Sequence, residues 1–275
     1  MARKRSWTGE RLETTITSEV MLEHLHRYAL ATEICKNKKV LDIACGEGYG
    51  CNLISKLAAE VTGIDIDETT INNASKKYFD KKIRFIKGSI LDIPADNGYF
   101  DLITCFETLE HVSNHEKAMS ELKRALHPEG ILLISTPNKY NYSDKTGYKN
   151  PYHLKELYKD EFYILLQSFF KEIKLLGQCS HSMSIIINEE KTQSRKYYSG
   201  DYNSINSILK PEPLYWVALA SDYSLPDVNN TFFLHPHTIS RIQEETKEYV
   251  EQTITYRVGN AILFPFKLLK KLFSK

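Results

Sequence analysis

Val40-Leu41-Asp42-Ile43-Ala44-Cys45-Gly46-Glu47-Gly48-Tyr49-Gly50 decides how this chain folds. A short apolar, partly β-branched run reads as a central parallel strand, and the glycines after it read as a turn whose backbone comes close to a partner. Residues 51–59 then place Leu53, Ile54, Leu57 and Ala58 at helical spacing against a sheet. Strand, glycine turn and helix make the first half of a βαβ unit. Glu60-Val61-Thr62-Gly63-Ile64-Asp65 supplies the next strand, which ends on an acid. The two oxygens of a carboxylate at that point suit the vicinal hydroxyls of a ribose, so the expected ligand is a nucleoside.

Two nucleoside classes compete. Dinucleotide sites use G-x-G-x-x-G with a pyrophosphate on the helix N-terminus, whereas the spacing here is Gly46-x-Gly48-x-Gly50 and Asp42 precedes it. A buried carboxylate repels a diphosphate and attracts an α-amino group or a sulfonium. A nicotinamide enzyme is therefore disfavoured. On these residues the chain resembles the class I S-adenosylmethionine (SAM) methyltransferases, with residues 40–50 and Asp65 standing as motifs I and II. The likeness continues in family order through 83–94, 100–112 and 126–137. It implies SAM as cofactor and S-adenosylhomocysteine as product. The implied cofactor residues are Arg27, Asp42, Ala44, Cys45, Gly46, Gly48, Asp65, Ile66, Ser89, Ile90 and Phe106. One departure is Ser89, where many relatives carry Asp, so adenine recognition is expected to use the backbone near Ser89 and Ile90.

With 275 residues, 42% hydrophobic and 26% charged, the chain can bury one full core and a small elaboration. A net charge of +1 gives no overall nucleic-acid footprint, and no nucleic-acid partner is expected. Five cysteines, at 35, 45, 51, 105 and 179, form neither a C-x-x-C pair nor a disulfide framework. That usage fits a reducing compartment. The first residues do not read as a signal peptide, and no apolar run reaches the ~18 residues of a membrane span. A cytoplasmic location is expected, with a peripheral place at the inner face of the cell membrane as its variant.

Strands are expected near 38–44, 60–65, 83–87, 101–106 and 131–136, with helices near 49–58, 68–78 and 115–127. This alternation specifies an α/β fold with a doubly wound parallel sheet, whose ligand lies beyond the C-terminal strand ends, and the resemblance implies a mostly parallel sheet of seven strands. Residues 1–36 are expected to form a polar leader or lid and a helix from Ser18 to about Cys35, with 37–225 as the SAM-binding domain. A helix is expected over 153–170 and a strand over 171–176. A further strand is expected over 214–220, the last two running as an antiparallel finish. Residues 180–213, rich in Ser, Asn, Tyr and Lys, read as a substrate-facing insertion. The tail, 226–275, ends in a basic amphipathic segment, 257–275, kinked at Pro265. Such a segment suits an anionic membrane surface or a protein face, including that of a second subunit in a homo-oligomer.

Methyl transfer from a sulfonium is chiefly a matter of alignment. The enzyme must also manage the acceptor's proton or charge. His111, at the end of the fourth strand, is the first candidate, as a base for a hydroxyl or, protonated, as a partner for an anion. Its bland role is to anchor the loop or cap the helix near Asn114. Tyr28 is the second candidate, as a phenol at the mouth, against ordinary helix packing. Arg27 suits the methionine carboxylate of SAM. His24 and His26 point to different sides of a helix and are expected to make surface or lid contacts. Glu107 and Glu110 are not followed by the Asp-Asp or Asp-Asn pair of metal-dependent methyltransferases, and no metal is expected.

Residues 8–11, 23–28, 44–50, 136–138, 150–153 and 212–215 together resemble a methyltransferase subfamily of bacterial surface-polysaccharide assembly. This resemblance implies a glycan or glycan-phosphate acceptor, methylated on a sugar hydroxyl or a terminal phosphoryl oxygen. Glu10, Arg11, His153 and Arg195 are the expected substrate residues. The alternatives are a ubiquinone-pathway-type small-molecule methyltransferase, which would share Glu110-His111-Val112, and a non-catalytic SAM-binding scaffold.

Overall fold

A computed structural model describes residues 19–180, 197–200, 205–208, 211–233, 247, 249–260 and 263. Five strands alternate with helices: β1 Lys39–Ile43, β2 Glu60–Asp65, β3 Ile83–Lys87, β4 Phe100–Cys105 and β5 Leu126–Pro137. Helix α1, Glu19–Ile34, precedes β1, while α2 Tyr49–Ser55, α3 Glu68–Lys77 and α4 His115–Ala125 lie between strands. Helix α5, Lys159–Gln167, and β6, Glu172–Gln178, follow β5. A hairpin of β7, Tyr197–Gly200, and β8, Ile205–Ile208, stands before β9, Tyr215–Ser221.

The seven-stranded sheet has the order β3-β2-β1-β4-β5-β9-β6. Pairing is parallel from β3 across to β5, whereas β9 runs antiparallel to both β5 and β6. The expected antiparallel finish is thus corrected in one respect: β9 alone is reversed, and the edge strand β6 keeps the direction of the parallel set. The sheet reverses its order of winding between β1 and β4. That switch point opens a crevice at the C-terminal strand ends.

Both faces of the sheet are covered because its central strands carry no polar face. Leu41, Ile43, Ile103, Leu132 and Ile134 pack with Met119, Leu122 and Phe162 on one side. Val40, Leu102 and Leu133 pack with Ala31, Ile54 and Val217 on the other. Asp67 caps α3 by accepting from Thr69 N, and Asn114 caps α4 by accepting from Lys117 N. Asn114, and not His111, therefore fills the capping role at α4.

The helix expected over 153–170 is shortened to α5. The backbone N–H groups of Leu154 and Lys155 both donate to Glu110 O, at 2.7 and 3.1 Å, and are lost to a helical ladder. Near and beyond the expected boundary at 225, Leu225 and Val228 pack against the core and His26 bonds Thr231 Oγ1 at 2.7 Å. Residues 249–260 are helical on either side of Thr253. Most of the basic amphipathic segment, with the polar leader and most of the insertion, lies outside the described residues. Among the described residues no helix is long and apolar enough to cross a membrane.

Gly50 is required by packing. A Cβ there would come within 2.0 Å of the Tyr28 ring, and both Tyr28 and Gly50 are buried. Replacement by Ala is expected to destabilise the fold by about 1–3 kcal/mol, read as a lower midpoint in denaturant unfolding with an unchanged slope. An unchanged midpoint would contradict this packing.

Candidate active site

The glycine turn sits where β1 ends, and its conformation explains its composition. Ala44, Gly46 and Gly48 all have positive φ, at 58°, 53° and 80°. This is a costly region for Ala and a free one for Gly. Two of these glycines do different jobs. A Cβ on Gly48 would meet the Phe85 ring at 2.6 Å, whereas a Cβ on Gly46 would meet nothing within 4 Å. Gly48 is small for the sake of the core, and the backbone at Gly46 borders open space.

Asp65 is tied to this turn. Its Oδ2 accepts from Gly46 N at 3.1 Å and its Oδ1 from Asp67 N at 2.9 Å, while Cys45 N donates to Ile64 O at 2.9 Å. A carboxylate fixed at the strand tip offers two acceptor oxygens, the kind of group a ribose diol needs. Ile66 follows at the strand tip with 69% of its surface exposed. Ser89 Oγ accepts from Leu91 N at 3.1 Å and Ile90 is buried in the core. Both side chains are thus occupied within the protein.

Asp42 lies beneath the turn, 1% exposed. Thr104 Oγ1 donates to Oδ1 at 2.7 Å, Cys51 Sγ to Oδ2 at 3.3 Å, and Tyr28 Oη to both oxygens at 3.2 and 3.1 Å. Burial pushes its pKa up to about 6, opposed by these three donors and aided by the neighbouring Asp65. A carboxylate strained in this way is stabilised by any cation that arrives above it.

Tyr28 is a correction to the sequence reading. It does not stand as a phenol at the mouth. Its ring is buried edge-on against Phe106 and Tyr49, and its hydroxyl is spent on Asp42. The room for that ring is the missing side chain of Gly50, a contact between distant parts of the chain. His24 is also drawn inward, bonding Tyr49 Oη at 3.0 Å, and burial with the nearby Arg27 lowers its pKa to about 3.

Arg27 is 1% exposed, with Nε donating to Gln178 Oε1 at 2.8 Å and its guanidinium 4.6 Å from the centre of the Tyr215 ring. Among the described residues neither Nη atom has a hydrogen-bond acceptor, although Glu107 Oε1 stands 3.6 Å from Nη1. A buried guanidinium in that condition is an anion-binding group. Glu107 itself has φ 47° and accepts from Ser135 Oγ at 2.6 Å.

His111 closes the single 3₁₀ turn Leu109–His111 after β4, with Nδ1 3.0 Å from Tyr152 O. A carbonyl only accepts, so Nδ1 is the donor in this contact. Its ring meets that of His153 edge-on, with centroids 5.0 Å apart. His111 and His153 are thus brought together, and Glu110 joins them. Glu10, Arg11 and Arg195 lie outside the described residues. The expectation of no metal rests on Glu107 and Glu110 alone and leaves out His153.

Residues 41–134 match the family model described as "Methyltransferase domain". The chain has the Rossmann-like fold of class I methyltransferases. A SAM-dependent methyltransferase from Thermotoga maritima superposes with a TM-score of 0.54 at 17% identity, covering 74% of this chain and 91% of the other. The YcgJ protein of Bacillus subtilis gives a TM-score of 0.52 at 16% identity, over 73% of this chain and 100% of the other. In sequence, the chain is 32% identical over 170 residues to a Mycolicibacterium smegmatis protein named "Probable S-adenosylmethionine-dependent methyltransferase". That match covers 61% of this chain and 65% of the relative, so the chain spans less than two thirds of that relative's length. A ubiquinone biosynthesis O-methyltransferase of Aromatoleum aromaticum is 33% identical over 105 residues, 37% of this chain and 45% of that protein.

Asp42 makes the cradle sensitive to pH. A cationic ligand stabilises the ionised form, so it pulls the carboxyl pKa below about 6 and releases a proton where Asp42 was protonated. The affinity for S-adenosylhomocysteine is therefore expected to rise as pH increases toward about 6 and to level off above it, measured by calorimetry. Affinity that falls over that interval would contradict the role of Asp42.

Proposed function

We propose that the chain is a SAM-dependent O-methyltransferase acting on a sugar hydroxyl or a terminal phosphoryl oxygen of a glycan or its precursor. The observation that carries the cofactor half is the open backbone at Gly46, fixed by its N–H to the Asp65 carboxylate. The residues suited to hold SAM are Asp65 for the ribose, Arg27 for the methionine carboxylate, and Asp42 as the buried counter-charge for the cationic end. When bound, SAM supplies a methyl group on a positively charged sulfur, which an acceptor oxygen takes by in-line displacement with departure of the neutral thioether.

The acceptor half is supported by the surface around His111 and His153. Tyr140, Tyr148 and Tyr152 are exposed on the segment that follows β5. Aromatic faces with hydroxyl tips can lie against the C–H face of a sugar while bonding its hydroxyls. Asn138 and Asn141 are both committed to Pro213 O, at 2.9 and 2.8 Å, which stiffens this platform against the start of β9. A phosphoryl oxygen has no proton to lose and needs a cationic partner. A hydroxyl must give up its proton during transfer.

The second reading, a small-molecule acceptor of the ubiquinone-pathway type, draws on the partial likeness to the ubiquinone biosynthesis O-methyltransferases. The test is transfer of label from methyl-labelled SAM to a panel holding glycans, glycan phosphates and small phenols, read by mass spectrometry. Label on the glycan acceptors is expected. Label confined to the phenols would replace the first reading with the second, and a protein that binds SAM but labels nothing would favour the scaffold.

A further inference from the structure

A second set of side chains converges beside the cradle. One ligand atom each from Glu110, His111 and His153 lie within 4.8 Å of one another. These residues come from different loops, the turn after β4 and the long connection after β5, so their meeting is a property of the fold and not of a local motif.

Anchoring the connection does not need the imidazoles. Leu154 N and Lys155 N already clamp it to Glu110 O. The imidazoles are instead oriented. His111 Nδ1 faces the carbonyl of Tyr152 at 3.0 Å, and His153 Nδ1 faces Glu156 Oε1 at 2.5 Å. A carbonyl and a carboxylate only accept, so each ring donates from Nδ1, and Nε2 is the nitrogen able to ligate an ion. Metal-ligating histidines are held in this way, with the outer N–H on a carbonyl or carboxylate and the other nitrogen turned to the ion. Tyr142, stacked on His153 with centroids 5.4 Å apart, holds that ring from its face.

Glu110 supplies an independent indication. It is 1% exposed, and its carboxylate is served by a long 3.4 Å bond from Thr136 Oγ1 and by its own backbone N–H. A carboxylate so deeply buried and so weakly bonded, next to the like charge of Glu107, calls for a cation. The guanidinium of Arg27 pairs with Glu107, its Nη1 3.6 Å from Oε1. Asn150 Nδ2, 3.0 Å from His153 Nε2, donates to the electron pair that an ion would take, and that bond is the one exchanged.

We propose that Glu110, His111 and His153 bind a divalent transition-metal cation through one carboxylate oxygen and two imidazole nitrogens, and that its open positions receive a pair of acceptor oxygens such as a sugar diol. Two imidazoles and one carboxylate suit zinc, manganese or cobalt better than magnesium or calcium, which favour all-oxygen shells. A tetrahedral zinc site separates its ligand atoms by about 3.3 Å, so closure asks for movement of side-chain tips. The cation lowers the pKa of the bound hydroxyl, whose proton leaves to water. The resulting oxygen forms its bond to the methyl carbon as the carbon–sulfur bond breaks and the electron pair stays on sulfur. His111 then acts as a ligand and not as the base. The acceptor role of the ion rests on the methyltransferase reading, while the ion site itself does not.

The experiment titrates Co²⁺ into tag-free, full-length protein stripped of metals, reading the visible absorption of the bound ion, with S-adenosylhomocysteine calorimetry run on the same samples. One equivalent is expected to bind in the wild type. His153→Ala and His111→Ala are expected to abolish the absorption, and Glu156→Ala, which removes only the outer partner of His153, is expected to weaken binding about 10–100-fold. All three variants should retain S-adenosylhomocysteine binding, which also certifies their folding. A wild type that binds S-adenosylhomocysteine but shows no cobalt absorption overturns the ion site and leaves the methyltransferase reading intact. An absorption unchanged in all three variants overturns it as well. Cobalt bound in the wild type and lost in the variants, with no S-adenosylhomocysteine binding anywhere, retains the ion site and overturns the methyltransferase reading.

Discussion

A carboxylate held almost entirely out of water beneath a strained glycine turn is the constraint on which the site depends. Asp42 is fixed by Thr104 from the neighbouring strand, by Cys51 from the helix that follows the turn, and by Tyr28 from the helix ahead of the sheet. Three separate elements thus converge on one buried charge. Three hydrogen bonds offset its desolvation only in part, as the raised pKa records. The protein keeps an unneutralised negative charge under a backbone that borders open space. Its energy falls when a cation takes the place above it.

The rest of the cradle follows from the same economy of backbone and charge. Gly46 gives its N–H to Asp65, which locks the tip of β2 to the turn after β1. Arg27 brings a positive charge into a place where its outer nitrogens find no acceptor among the described residues. Opposite charges thus stand at two places in one crevice, a pattern suited to a ligand with an amino acid at one end and a nucleoside at the other. The connection after β5 is held to the turn after β4 by backbone bonds from Leu154 and Lys155 to Glu110.

Much of the sheet was legible because its central strands are uninterrupted apolar runs and the turns between them carry Gly and Asp at strand ends. Asp65 and the glycines could be read for the same reason, since their roles are local. Tyr28 could not be placed, because the space it fills is created by the absent side chain of Gly50 in another element. The helix expected from 153 was misjudged because apolar spacing at Leu154 and Leu157 is silent about where the N–H groups of Leu154 and Lys155 are spent. The reversed β9 needed the pairing register, and the β7–β8 hairpin sits in a polar segment whose composition favours no single element. His153 could be singled out from its motif, yet its meeting with Glu110 and His111 depends on how two loops are clamped together.

Native mass spectrometry of the protein with equimolar S-adenosylhomocysteine and NAD tests the central claim most directly. A cradle built on Asp42, Gly46 and Asp65 for a cationic nucleoside predicts a mass increase from one S-adenosylhomocysteine and none from NAD. Retention of NAD, with S-adenosylhomocysteine left free, would contradict the account.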